Sequence, residues 1–311
     1  MMRWYSILAM LVVLFSFVPI ETPTTAEELG EKLFFDPILS LDSSISCRSC
    51  HLPSFAFADT LPFSKGIYGQ LGTRNTPSAI NMMARPYFFY DGRAATLEEQ
   101  VLMPIHNPQE MGLTIPVLLE RLNESDYRTW FQQIYGTEAD SSNLGAALAA
   151  YLFSLESVGD SPFDQWMKGD STALTVAQIR GRTIFNEKGK CFDCHFGPDF
   201  TGDEFRNIGL FTGRAGLNDQ GRFAISKDSS DLGKLKVPGL RNITLTAPYM
   251  HNGQFQTLVE VVDYYDNPNQ FVQGSINRDS LLARPLQLSQ QEKADLVAFL
   301  EALTDKRYQQ Q

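Results

Sequence analysis

The sequence predicts a mainly α-helical protein of two domains, with long ordered loops and little strand. Three observations lead there. The pattern Cys-x-x-Cys-His occurs at Cys47 to His51 and returns at Cys191 to His195. A helical pattern leads into each copy. The long stretches between are rich in Gly, Pro and Ser and show little of the alternation that a strand requires. At 311 residues the chain has room for two domains of ordinary size, one for each motif.

The elements follow in order. Arg3 precedes an apolar run from Ile7 to Ile20, and Thr24, Thr25 and Ala26 are small residues suited to cleavage, so residues 1–26 read as an export signal. The run is short for a membrane span, and an uncleaved anchor is the alternative. The first domain is placed at 27–160. It opens on a helix from Glu27 to Phe35, with Leu29, Leu33 and Phe34 on one side. Leu52 to Thr76 reads as a loop of the kind that walls a pocket. Helices are expected over Leu97 to Met103, Ile115 to Leu122 and Leu144 to Leu155, with a loop from Pro104 to Gly112 between the first two. Gly159-Asp160-Ser161-Pro162, continuing to Gly169-Asp170-Ser171, marks the boundary, and the second domain is placed at 161–311.

That domain repeats the layout. Thr175 and Gln178 have capping-box spacing for a helix that runs to about Asn186 and delivers Cys191. Gly202 to Leu240 shows no helical period and reads as ordered loop. Thr257 and Glu260 form another capping box, which puts Leu258, Val261, Val262 and Tyr265 on one helical face and Tyr264 about a quarter turn away. Ser289 and Glu292 open the closing helix, which buries Leu296, Val297, Leu300 and Leu303.

The chemistry lies in the two motifs. Two thiols three positions apart, followed at once by an imidazole, are the arrangement that tethers a c-type haem. The thiols add across the two porphyrin vinyl groups, and the His presents its nitrogen to the iron. All four cysteines of the chain belong to these motifs, as do two of its four histidines. The alternatives fit less well: a redox dithiol does not call for the trailing His, and a zinc site would add a spaced His pair. Two covalently bound haem c groups are therefore expected, held by Cys47, Cys50 and His51 and by Cys191, Cys194 and His195. A net charge of −10 argues against nucleic acid, which requires a basic face. Covalent haem attachment also fits export to the periplasm.

Further stretches carry a family resemblance. Arg74-Asn75-Thr76-Pro77, Tyr90-Asp91-Gly92-Arg93, Asp219-Gln220-Gly221-Arg222, Val237-Pro238-Gly239-Leu240-Arg241-Asn242 and Pro248-Tyr249-Met250-His251-Asn252-Gly253 stand in order around the two motifs. Together they resemble the bacterial dihaem cytochrome c peroxidase and MauG superfamily over nearly the whole mature chain. The resemblance implies two cytochrome c-like haem domains with the haem edges facing across their interface. It also implies a calcium ion between them, met by Asn75 and the carbonyls of Thr246 and Pro248.

Within that superfamily the ligand opposite each His divides the chemistry. Peroxidases that must be reduced before they open carry a distal His in the loop before the Arg-Asn pair. Here Ile67 holds about that place, and no histidine occurs between Leu52 and Thr76, so the first haem is expected to present an open face to hydrogen peroxide. Fourteen positions after His251, where typical peroxidases place Met and MauG-like proteins Tyr, stands Tyr265. A core tyrosine beside the haem is the alternative reading of Tyr265, and Met250 is the competing ligand. Glu110 and Gln100 match the family's distal carboxylate and amide, with Met103, Ile105 and Met111 near enough in sequence to raise the carboxyl pKa. A solvated loop Glu is the bland alternative, and His106 the local one for the base. Tyr90 replaces the family's Trp between the haems and would relay charge only with loss of a proton, or simply pack there.

The expectation is thus a periplasmic dihaem oxidoreductase that uses hydrogen peroxide. In the MauG-like form a partner protein's aromatic side chain is oxidised through the second haem. The alternatives are a cytochrome c peroxidase, fed by a small cytochrome or cupredoxin as its protein redox partner, and a non-enzymatic electron carrier. Membrane contact is expected only if the first segment stays attached.

Overall fold

The computed structural model describes residues 22–309. The apolar run Ile7 to Ile20 lies outside them. Helices dominate, and the strand content is one antiparallel pair, β1 (Phe205–Arg206) with β2 (Leu235–Lys236). The first half carries α1 (Ala26–Phe35), α2 (Leu97–His106), α3 (Ile115–Asn123), α4 (Tyr127–Tyr135) and α5 (Ser141–Ser154). The second carries α6 (Pro162–Met167), α7 (Val176–Asn186), α8 (Phe223–Ser226), α9 (Leu258–Asp266), α10 (Pro268–Phe271), α11 (Gln290–Glu301) and α12 (Lys306–Gln309).

Local chemistry explains where the helices start. The expected capping boxes form at Thr175, Thr257 and Ser289, and a further one forms at Thr25, whose hydroxyl accepts from the Glu28 amide. Five helices were not legible, α4, α6, α8, α10 and α12, and α8 with β1 and β2 interrupts the stretch Gly202 to Leu240 that reads as loop. α4 begins at a residue already in helical conformation and lacks a side-chain cap. α6 sits inside the stretch read as a boundary, where Ser161 caps Asp164 and Pro162 takes the first turn. Its Phe163 packs against Phe200 and Phe299, with centroids at 5.2 and 5.7 Å. α2 also runs on through Pro104 to His106 before Asn107 ends it.

Each half has its own apolar core, one gathered from Leu29 to Leu152 and one from Phe185 to Leu303. Each is built on a helix pair that crosses at a glycine. A Cβ on Gly30 of α1 would stand 1.9 Å from the Ala147 carbonyl oxygen of α5, and one on Gly181 of α7 would stand 1.9 Å from the Asp295 carbonyl oxygen of α11. Only hydrogen fits there, so the helix that leads into each Cys-x-x-Cys-His motif lies directly on its partner's backbone. Gly181→Ala gains about 1 kcal/mol of helix propensity. It must nevertheless push two backbones apart. A net loss of about 1–3 kcal/mol is expected in urea unfolding.

Charged groups join the halves. Arg74 donates through Nε and Nη2 to Asp219 at 2.7 and 2.8 Å and through Nη1 to Asp91 at 2.7 Å. Arg222 Nη1 donates to the carbonyls of Asp91 and Gly92 at 2.9 and 2.8 Å, and the Lys236 amide donates to the Tyr90 carbonyl at 2.7 Å. Partly buried pairs of this kind add little net stability, but they fix the relative position of the groups they join.

Candidate active site

The two motifs adopt the same turn. In each, a short 3-10 segment starts at the first Cys, and the His amide donates to that residue's carbonyl, at 2.9 Å for His51 and 2.8 Å for His195. Each imidazole then donates from Nδ1 to a backbone carbonyl, His51 to Phe57 at 2.8 Å and His195 to Phe200 at 2.9 Å. Phe57 and Phe200 both adopt left-handed backbone, φ +57 and +55, which turns those carbonyls toward the rings. Burial holds both histidines below the usual imidazole range, hence neutral. With Nδ1 occupied, the lone pair of each ring is left on Nε2, the state a metal ligand needs. Sequence reading missed Phe57 and Phe200, because any residue supplies a carbonyl.

All four cysteines are free. Burial pushes Cys47 and Cys191 up to about 12 and Cys50 to about 11. A redox dithiol needs the opposite, a thiol whose pKa is lowered. Among the described residues no three His, Cys, Asp or Glu side chains converge as a metal cluster. One free imidazole nitrogen beside two neutral thiols, twice over, fits covalent haem.

A cavity of about 330 Å³ opens from Cys191, Cys194 and His195 toward the first half, reaching Asn75 and Tyr90. Tyr265 lines it. The neighbouring Tyr264 is fully buried, and its hydroxyl donates to the Ile208 carbonyl at 2.8 Å. α9 therefore buries a wider face than its period implies. The Tyr265 hydroxyl has no hydrogen-bond partner among the described residues, and burial, with Tyr264 beside it, drives its pKa well above the usual phenol value. Met250 lines the same cavity, as do Thr246 and Pro248. Asn75 uses its Nδ2 to donate to the Leu61 carbonyl at 3.0 Å. Burial pushes Tyr90 up to about 12 against the charge of Arg74.

A second, more open pocket of about 350 Å³ belongs to the first half, with Phe89, Arg93, Met103, His106, Asn107 and Glu110 on its wall. Burial raises the Glu110 pKa, opposed by a hydrogen bond from Asn107 and by the charges of Arg93 and His106. The carboxyl is close enough to the first motif for its charge to raise the Cys50 thiol. Of the expected apolar neighbours, Met103 lines the pocket while Ile105 and Met111 are buried in the core. Gln100 is half-buried on α2, one turn before Pro104, and is not on the pocket wall. His106 is exposed, with its Nδ1 on the Leu102 carbonyl at 3.0 Å. Arg93, which sequence reading did not single out, lies 3.5 Å over the Phe89 ring and binds both oxygens of Asp91 at 3.0 Å. Ile67 is buried, and its amide donates to the Glu110 carbonyl at 2.8 Å, so this loop braces the turn that carries Glu110.

Comparison with known proteins places the chain in a family. The family model for di-haem cytochrome c peroxidase matches residues 24–172. The methylamine utilization protein MauG of Methylorubrum extorquens is 38% identical over 294 residues, covering 92% of this chain and 80% of that protein. The chain belongs to the dihaem cytochrome c peroxidase and MauG family. Members of this family are oxidoreductases, and both kinds of member are similar to it: the cytochrome c551 peroxidase of Pseudomonas aeruginosa is 36% identical over 289 residues, 90% of this chain and 79% of that one. Among solved structures, a MauG-like protein associated with microbial copper homeostasis superposes with TM-score 0.82 at 32% identity, covering 94% of this chain and 93% of that one. The diheme peroxidase BthA of Burkholderia thailandensis superposes with TM-score 0.80 at 28% identity, covering 91% and 86%.

Proposed function

We propose that this family member is an exported MauG-like oxidoreductase. It takes hydrogen peroxide at the Glu110 pocket and draws two electrons from aromatic side chains of a partner protein through the half that carries Tyr265. His51 would hold one iron through Nε2, and His195, together with Tyr265, would hold the other. When bound, the two haems would supply one-electron redox chemistry. Glu110 accepts the proton from the near oxygen of peroxide and returns it to the far oxygen, which leaves as water. Arg93 supplies positive charge beside that transfer, and Tyr90 stands between the two halves.

The observation that carries the MauG-like reading is Tyr265 on the wall of the cavity that opens from His195, its hydroxyl without a hydrogen-bond partner among the described residues. A buried phenol does not ionise unaided, but a cation in bonding range would replace its proton. A ligand of that kind favours the oxidised metal, whereas a thioether raises the potential and makes a better acceptor from small cytochromes. Met250 lines the same cavity and favours the second reading, a cytochrome c peroxidase fed by a cytochrome or cupredoxin.

Anaerobic mixing with one equivalent of peroxide, followed by a search for oxidised Trp or Tyr in co-purifying proteins, tests the choice. Fast turnover with reduced cytochrome c and no such oxidation would reverse it. Two low-spin six-coordinate haems in the resting protein would favour a mere carrier.

We also propose calcium at Asn75, Thr246 and Pro248, since all three line the cavity that spans the two halves. Removing it with a chelator is expected to change the visible spectrum, and added calcium to restore it. A spectrum indifferent to chelator would dispose of the site.

A further inference from the structure

The Glu110 pocket contains one side chain that both closes the turn after α2 and donates to the carboxylate. Asn107 ends α2, where its amide donates to the Met103 carbonyl, and its own carbonyl accepts from the amides of Glu110 and Gly112 at 3.0 and 2.9 Å. Its side chain is committed at both ends. Oδ1 accepts from the Gln109 amide at 3.0 Å, and Nδ2 donates to Glu110 Oε1 at 2.8 Å. The first bond fixes the amide orientation, because a backbone N–H can only meet the oxygen. Nδ2 must therefore face Glu110.

From this we infer that Asn107 is the positioning residue of the distal carboxylate, holding Oε1 so that Oε2 alone is free to take and return the peroxide proton. The inference deepens the reading of Glu110 as the proton-moving group, and rests on it. A carboxylate that turns freely on a loop spends much of its time aimed elsewhere. One tied by a single short amide bond keeps its working oxygen in place at little cost at the moment of reaction. The same bond favours the ionised form, the one that can accept a proton, and opposes the burial that would protonate it. Arg93 and His106 act on the carboxyl in the same sense through their charge, and the charge of Glu110 in turn reaches the Cys50 thiol of the first motif.

The test uses the haem-loaded protein and two Asn107 variants. Asn107→Ala removes both side-chain bonds. Asn107→Asp keeps the acceptor for Gln109, so the turn folds, but replaces the donor to Glu110 with a like charge. The readouts are the pH dependence of cyanide binding to the ferric protein, which also requires a proton acceptor, and of the first reaction with peroxide. For both variants the midpoint is expected to move to higher pH, further for Asp than for Ala, with binding at pH 6 slowed roughly tenfold. Far-ultraviolet circular dichroism unchanged for Asn107→Asp shows that the fold survives. Glu110→Gln should abolish the midpoint altogether. If Glu110→Gln does so while both Asn107 variants keep the wild-type profile, Asn107 does not position the carboxylate. If Glu110→Gln leaves the profile unchanged, the reading of Glu110 fails, and the role of Asn107 with it.

Discussion

Tyr265→Phe is expected to change the ferric spectrum of the second haem, remove any phenolate band from its resonance Raman spectrum, and slow peroxide-driven oxidation of the partner by about a hundredfold, a barrier increase of about 2.7 kcal/mol. The substitution removes a single oxygen from a side chain whose ring already fills its place between the cavity and Tyr264, at 5.6 Å between centroids. Volume and shape are conserved and no hydrogen bond is lost, so stability should hardly move. Any large effect must then come from what the oxygen touches when the haem is present. Tyr264→Phe is the control. It strands the Ile208 carbonyl and should lower stability by about 1 kcal/mol while leaving the spectrum alone. A Tyr265→Phe protein with the wild-type spectrum would return Tyr265 to the core and make Met250 the residue to replace next.

The second large effect is expected at Glu110. Glu110→Gln keeps the size of the group and can still receive a proton donor, but it cannot accept and return a proton. The first reaction with peroxide should fall by about 10²- to 10⁴-fold. The sign with pH follows from burial. The wild-type carboxyl titrates above its ordinary value, so the working, ionised form is lost as pH falls through that raised pKa and recovered above it. The Gln variant should be flat across the same range. A residual slope identical to wild type would point to exposed His106 as the base.

How much was legible follows from the scale of each interaction. The capping boxes at residues 175, 257 and 289 were readable because both partners lie within one turn of sequence. α6 was not, because Ser, Pro and Gly signal a turn and the helix exists through Phe163 on a core assembled from residues far along the chain. The thiols and imidazoles of the motifs were readable for the same local reason, whereas the carbonyls of Phe57 and Phe200 that orient the rings carry no side-chain signature. Glu110 was found through resemblance alone. Its supports, Arg93 from a distant turn and the Ile67 amide from another loop, meet it only in three dimensions. Asn107 stands three residues from Glu110 and could have been noticed, but an Asn after a Pro-containing helix reads first as a cap.

The Arg74 bonds to Asp219 and Asp91, together with the grip of Arg222 and Lys236 on the Tyr90 to Gly92 turn, bear on timing. Halves pinned at so many points do not wait for a hinge to swing before they exchange an electron. The gap is a constant, and tunnelling across it should proceed at a pace indifferent to added viscogen. Slowing by glycerol or sucrose would reveal a motion that these contacts are expected to forbid.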